Sequence, residues 1–452
     1  MLEKLFKLKE HGTNVKTEAV AGIITFMTMA YILAVNPDIL SATGMNRDAI
    51  LVATALASFV GCIAMALFAN YPFALAPGLG LNAYFAYTVC GIMGYSWQFA
   101  LLAVFVEGII FIILSLTRFR EAIFNAIPMD LKRGVTVGIG LFCAFIGFDN
   151  ANLVFSGSTI VEMIDFSKDF NTQGISALLC LIGFLIIAIL HVRKVKGCIL
   201  IGIVATWLLG IVCELTGLYV VTPEEGFYSL IPSWSSFNIM SVGEVFGQCF
   251  NFSVIDFKWV DLIAIVLSLL FVDIFDTIGT LIGVANNANM LDKDGKLPRI
   301  RRVLMADAVA TTAGAVIGTS TTTTFVESSS GVVAGGKTGL ASVFTGLFFL
   351  LSIVFAPVFI AIPGFATAPA LIFVGFMMVT TVADIDFKNY SESIPAFFCI
   401  ICMPFMYSIS EGIAAGIISY VIINLFTGKH KKITLLMYIL AVLFVLKYAF
   451  LK

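Results

Sequence analysis

Apolar residues in this chain come in long unbroken runs that stop at short polar turns. A bilayer core takes about 20 residues of helix, fewer where a helix is broken. On that measure the pattern predicts about fourteen spans: 17–36, 49–69, 74–91, 97–117, 131–148, 173–191, 198–217, 259–285, 302–318, 320–335, 339–360, 366–383, 394–407 and 411–427. A further apolar run, 433–450, follows a basic turn and either crosses the membrane or lies against the bundle. The fold class is therefore an all-α polytopic membrane protein.

Composition agrees. The 452 residues are 60% hydrophobic and 12% charged, with 42 Phe. A soluble domain is about a quarter charged. Net charge is −2, so no nucleic-acid surface is expected. Met1 to Lys16 is polar and basic, unlike a secretory leader. Cys399 and Cys402 lie within the apolar run Phe397–Phe405 with no second ligand pair, so packing is expected there, not a metal.

Sidedness follows from the basic turns. With a cytoplasmic N-terminus, the inner turns carry Arg118, Arg120, Lys132 and Arg133, then Arg193, Lys194 and Lys196. Lys293, Lys296, Arg299, Arg301 and Arg302 follow, then Lys429, Lys431 and Lys432. The long outer segments 148–172 and 215–258 hold only Lys168 and Lys258.

The spans divide seven and seven, at an offset of roughly 240 residues. Ala53–Phe68 matches Ala306–Gly318, Asn70–Asn82 matches Ser320–Gly331, and Gly174–Leu215 matches Ile394–Phe426. An odd number of spans per repeat inverts the second copy, an architecture common in secondary transporters.

Two stretches violate helix logic. Tyr71–Gly80 places Pro72, Pro77, Gly78 and Gly80 at membrane depth, and Ser320–Thr324 is a β-prone run of hydroxyls. Non-helical backbone survives in lipid only when buried in protein or lining a wet cavity. The two segments are expected to meet near the midplane, with short helices from about Leu79 and about Glu327 pointing their N-termini at the centre. The alternative is a pair of simple kinks.

Carboxylates inside a membrane are expensive and mark function. In FVDIFDTIGTL, Asp273, Asp276, Thr277 and Thr280 share one helical face. Glu327 begins the second short helix and is expected across a cavity from Asp276. Two carboxylates in a dry pocket cannot both be charged cheaply, so the pair is expected to carry a proton. Glu107 is expected to pair structurally within the bundle, and Asp307 to form an interfacial charge pair with Arg301 and Arg302. The three His lie in loops, tails or span ends. Asn82 offers both donor and acceptor to a heterocycle edge. Tyr84, Phe85 and Phe325 could stack on a flat ligand, with Val326 beside them.

Gly331–Thr338, GVVAGGKT, matches a phosphate-binding loop by letter. No strand precedes it in a βαβ unit and an apolar span follows, so coincidence is expected, with Lys337 snorkelling to the cytoplasmic surface.

Together APGLGLNAYF at 76–85, FVDIFDTIGTL at 271–281 and TSTTTTFVESSSGV at 319–332 resemble the AzgA-like branch of the nucleobase–ascorbate transporter superfamily. These are bacterial and fungal hypoxanthine, guanine and adenine permeases, and the resemblance covers nearly the whole chain. It implies fourteen spans in two inverted repeats of seven, as in the uracil permease fold, and purine–proton symport with no other cofactor. It implies a core domain (17–117 and 259–360) that carries substrate against a gate domain (131–217 and 366–427), usually in a homodimer. It places the family's binding Asn on Asn82, its eighth-span acids on Asp273 and Asp276, and its tenth-span Glu on Glu327. A bacterial inner-membrane location follows. Competing readings are an anion transporter on the same fold, a channel, and a membrane enzyme. Crowded acids argue against the anion. A channel needs a continuous polar stripe, and no nucleophile–base pair or metal cluster supports an enzyme.

Overall fold

The computed structural model describes residues 2–116, 127–155, 161–166, 169–222, 224, 227–232, 237–252, 254–255, 259–287, 290 and 297–450. Of the basic turns that predict sidedness, Arg118, Arg120, Lys293 and Lys296 lie outside the described residues, as do Lys168 and Lys258.

The first passage, Val15–Ser41, consists of α1 (Val15–Met29) and α2 (Ile32–Ser41), interrupted at Ala30 and Tyr31. Next come α3 (Arg47–Phe68), β1 (Leu75–Pro77) and α4 (Leu79–Ala83), which continues as a π-helix over Tyr84–Ile92. The first half ends with α5 (Trp97–Leu116), α6 (Met129–Asn150), α7 (Ile175–Val192) and α8 (Cys198–Leu215). The second half opens with α9 (Trp259–Asn287), α10 (Ile300–Ile317), β2 (Thr322–Thr324) and α11 (Ser328–Val333). It closes with α12 (Gly339–Ser352), α13 (Gly364–Val379), α14 (Tyr390–Phe405), α15 (Ile409–Phe426) and α16 (Leu435–Phe450).

Among the described residues, nine helical stretches are long and apolar enough to cross a membrane. At 29 residues, α9 is about 43 Å long, more than a bilayer core requires. The chain is a helical polytopic membrane protein. The segment expected as a span over 320–335 is a strand followed by only a six-residue helix. The run 433–450 becomes α16, which packs along α15 and sets Phe444 6.4 Å from Phe271 of α9.

The two non-helical stretches pair as antiparallel strands, with Leu75 opposite Thr324, Ala76 opposite Thr323 and Pro77 opposite Thr322. All six residues are buried. The amide of Gly78 donates to the carbonyl of Thr321 at 3.0 Å, and that of Phe325 to Ala74 at 3.0 Å, extending the ladder at both ends. Simple kinks are thereby excluded. Each strand supplies the backbone partners that lipid cannot give the other.

Packing crosses between the halves. α10 lies against α5, and α12 against α3. A second set of helices, α6, α7, α13, α14 and α15, packs chiefly within itself. In lipid, burying apolar area gives no drive for helices to associate, so close backbone approach must hold them. Gly140 and Gly375 meet in this way between α6 and α13: a Cβ on either would lie within 2.7 Å of the other's carbonyl oxygen. A Cβ on Gly108 of α5 would meet the backbone nitrogen of Thr312 in α10 at 2.8 Å.

Gly108→Val is therefore expected to destabilise the fold by about 1–3 kcal/mol through overpacking. Gly243→Ala, which meets nothing within 4 Å, should be neutral. Thermal unfolding of the two variants in detergent compares them; equal melting temperatures would remove the packing argument.

Candidate functional site

The strand pair brings the start of α4 and the start of α11 to the same place. Gly78 occupies the cap position of α4 because a larger residue does not fit: its Cβ would lie 2.9 Å from Thr323 Oγ1. Glu327 occupies the cap position of α11. Its Oε1 accepts a hydrogen bond from the hydroxyl of Tyr31 at 2.7 Å, and its carbonyl accepts from Thr28 Oγ1 at 3.4 Å. Tyr31 sits at the interruption between α1 and α2, so that break aims its hydroxyl into the site.

Asp276 faces the same region from α9. Thr323, on β2, lies beside its carboxylate, and Asp276 interacts electrostatically with Glu327 and Asp307. Both Asp276 and Glu327 are partly accessible. α6 forms the opposite wall: Cys143 lies near both Asp276 and Tyr31, and Ile139 lies where a Cβ on Gly80 would be 2.9 Å away. Phe325 is buried with its ring 6.5 Å from that of Tyr31, while Val326 is 47% exposed. The site thus pairs two carboxylates with a phenol, an aromatic ring and a strand hydroxyl.

Asp273 is not on the accessible surface of the site. It is fully buried behind Asp276, where Thr277 Oγ1 donates to its Oδ1 at 2.8 Å and lies 3.2 Å from Asp307 Oδ2. Asp307 is likewise fully buried, which corrects the interfacial position expected for it. Helical rotation gives the reason. Five residues beyond Arg302, it points about 140° around α10 from that side chain.

Asn82 is fully buried with both ends of its amide engaged. Nδ2 donates to Asn36 Oδ1 at 2.6 Å, and Oδ1 accepts from the Ser320 hydroxyl. Asn36 Nδ2 in turn donates to Thr54 Oγ1 at 2.6 Å and Thr319 Oγ1 at 3.1 Å. This network ties α2, α3, α4 and the approach to β2 together and fixes the site from behind. Tyr84 does not reach the accessible face of the site either; it is buried, with Ser268 and Ser410 beside its hydroxyl. Phe85 is buried as well. Glu107 accepts from Thr321 Oγ1 at 2.8 Å, the structural pairing expected of it. Among the described residues, no group of three or more His, Cys, Asp or Glu is placed to hold a metal ion.

Sequence reasoning missed Tyr31, Asn36, Thr323 and Cys143. An Asn followed by Pro37 inside an apolar span was the available signal for Asn36.

The match to a phosphate-binding loop is resolved by Glu18. Its carboxylate accepts from the backbone amides of Lys337 at 2.9 Å and of Thr338 and Ala341 at 3.2 Å. Asn70 Oδ1 accepts from Gly339 N at 2.8 Å. The amides at the start of α12 therefore hold an internal carboxylate where a phosphate would sit.

The Permease family (Xan_ur_permease) matches residues 16–431. This chain belongs to that family. It is similar to an adenine permease (AdeQ) of Escherichia coli strain K12, 40% identical over 99% of this chain and 96% of the relative. It is also similar to a guanine/hypoxanthine permease (PbuO) of Bacillus subtilis strain 168, 43% identical over 97% of this chain and 98% of the relative. All of these are permeases by name, in keeping with transport over catalysis. Among solved structures, the SLC26A9 structure aligns with a TM-score of 0.61 at 12% identity, covering 91% of this chain and 66% of that one. The transmembrane domain of a cyanobacterium bicarbonate transporter, BicA, aligns at 0.59 and 14% identity, covering 89% and 97%. At such identities the likeness is one of fold alone.

In this permease, Glu18→Ala should leave three amides without their anionic acceptor and cost about 3 kcal/mol of stability. Lys337→Ala, at an exposed position, should cost under about 1 kcal/mol. Thermal unfolding with and without ATP reads both, and stabilisation by ATP would overturn the reading of Gly331–Thr338.

Proposed function

We propose that the chain imports purine bases, hypoxanthine/guanine or adenine, across a bacterial inner membrane by proton symport. The observation that carries this is the pair of partly accessible carboxylates, Asp276 on α9 and Glu327 at the cap of α11, close enough to interact electrostatically, with Tyr31 hydrogen-bonded to Glu327 and Thr323 beside Asp276. The relatives supply the cargo. A neutral purine offers ring N–H donors to a carboxylate, and its rim can lie against Phe325 and Val326.

In this reading the chain has fourteen spans in two inverted repeats of seven, with a cytoplasmic N-terminus. The reciprocal packing of α10 on α5 and α12 on α3 supports it. Residues 17–117 and 259–360 form a substrate-carrying core, and 131–217 and 366–427 form a gate, the whole working as a homodimer. A proton from outside occupies Asp276 or its partner. The base then binds with Glu327 accepting its N–H groups, and the loaded core moves against the gate like an elevator. Carrying one charge inward contributes about 2.3 kcal/mol per 100 mV, enough for roughly fifty-fold accumulation. No cofactor beyond the proton takes part, and no reaction is catalysed.

The likeness to SLC26A9 and BicA favours one second reading, an anion transporter on this fold. Two carboxylates at the centre weigh against an anion.

Uptake of radiolabelled hypoxanthine, guanine, adenine and uracil into a purine-transport-deficient bacterium tests the proposal. Saturable purine uptake, abolished by a protonophore and by Glu327→Ala or Asp276→Asn, is expected. Tyr31→Phe, which removes one hydrogen bond to a carboxylate, should weaken apparent affinity about tenfold. Sulfate or bicarbonate uptake without purine uptake would establish the second reading instead.

A further inference from the structure

We propose that the cavity where α6 and α14 end is a second, outer binding site for the planar heterocycle, in series with the central one. This rests on the purine reading above. The cavity holds about 310 Å³ and is lined by Phe145, Asp149, Phe155, Pro404, Phe405 and Tyr407. That volume is at the small end of the range for small-molecule sites, about 300–1,000 Å³. It lies against the short hairpin that pairs Val154–Phe155 with Glu162–Met163, just beyond α6. In the orientation proposed above, this end of α6 is the outer one.

The lining has the chemistry that a purine needs. Phe145, Phe155, Phe405 and Tyr407 supply aromatic surface from three separate stretches of chain. Asp149 sets one exposed carboxylate among them, close enough to the Tyr407 phenol to interact with it electrostatically. A carboxylate is acceptor-only, so it selects a flat ligand bearing N–H donors and repels an anion.

Tyr407 forms the inner floor. Its ring packs edge-on against Tyr87 at 6.1 Å, Phe142 at 5.4 Å and Phe145 at 5.9 Å. Tyr87 is held in turn by a 3.2 Å bond from its hydroxyl to Asn150 Oδ1, and Thr88 Oγ1 donates to the Tyr407 carbonyl at 3.4 Å. Tyr407 also holds φ at +50°, a left-handed conformation uncommon for so bulky a residue. It links α14 to α15, while Tyr87 and Thr88 belong to the arm that follows β1. Its contacts therefore bridge the two groups of helices assigned above to gate and core.

Beyond this floor is the central site. Phe142 adjoins Cys143, which lies near Asp276. Asp149 is six residues further along α6, about 9 Å. A base resting on Tyr407 thus lies against the aromatic layer that Tyr407 forms with Tyr87, Phe142 and Phe145. Relative motion of gate and core repacks that layer, because its rings belong to both.

The test is labelling of Val154→Cys, in the hairpin lining the cavity, by a membrane-impermeant maleimide. The partly exposed Cys90, Cys213 and Cys402 are replaced by Ala. Labelling is followed in intact cells with and without saturating hypoxanthine, in the transport-competent chain and with Glu327→Ala. Hypoxanthine is expected to slow labelling at least about threefold in both, as occupancy of an independent site requires. Asp149→Asn should raise the KM for hypoxanthine about fivefold with maximal uptake nearly unchanged, the loss of one charged acceptor. Protection that vanishes with Glu327→Ala, while the parent still imports hypoxanthine, overturns the outer site alone. Absence of hypoxanthine uptake by the parent overturns the purine reading and the outer site with it.

Discussion

Three residue pairs across a strand ladder hold this protein's centre. A bilayer forbids unpaired backbone, so a chain that leaves helical geometry at membrane depth must find a partner for every amide and carbonyl it frees. Leu75–Pro77 and Thr322–Thr324 are that partner for each other. Neither segment is stable at that depth without the other, so the two halves of the chain must fold together. The same pairing fixes where α4 and α11 begin, and therefore where Gly78 and Glu327 sit.

Around that pair the structure separates support from contact. Asn36, Asn82, Thr54, Thr319 and Ser320 form a buried network whose amides and hydroxyls satisfy one another. A satisfied polar network in a low-dielectric interior is rigid, because each broken bond leaves a costly orphan. Asp273, Thr277 and Asp307 form a second buried polar layer between α9 and α10. In front of both layers are Asp276 and Glu327, both partly accessible, with the buried side chains of Tyr31 and Thr323 beside them.

The sequence made the architecture legible wherever the bilayer imposes a single solution. Long apolar runs became helices, and the stretch ending at Pro77 and the Thr run at 322–324 became strands, because nothing else satisfies their backbone. Acids were legible because a charge in lipid is costly enough to demand a role. What sequence could not convey was direction. Asn82 and Tyr84 are two residues apart, about 200° around a helix, and neither lines the accessible face beside Asp276 and Glu327. One turns to Asn36 and the other to Ser268 and Ser410. Tyr31 and Asn36 escaped notice since a neutral phenol or amide is cheap enough to bury to carry no alarm. Asp307 was misplaced by its nearness in sequence to Arg301 and Arg302, which says nothing about which side of α10 it occupies.

The two arms of the strand pair match in geometry and differ in chemistry. The first ends in Gly78 and a buried neutral amide, Asn82, whose hydrogen bonds are internal. The second ends in Glu327, a carboxylate held by one phenol and still partly accessible. A symmetric pair of carboxylates on the arms would add a third acid beside Asp276 and Glu327, which a low-dielectric interior opposes. A symmetric pair of amides would leave the arms themselves without an ionisable group. Divergence of the two arms gives a rigid neutral side and an ionisable side on one scaffold. That is the division of labour that the proposed proton coupling requires, and Asp276 on the adjoining α9 adds a second carboxylate, beside Thr323.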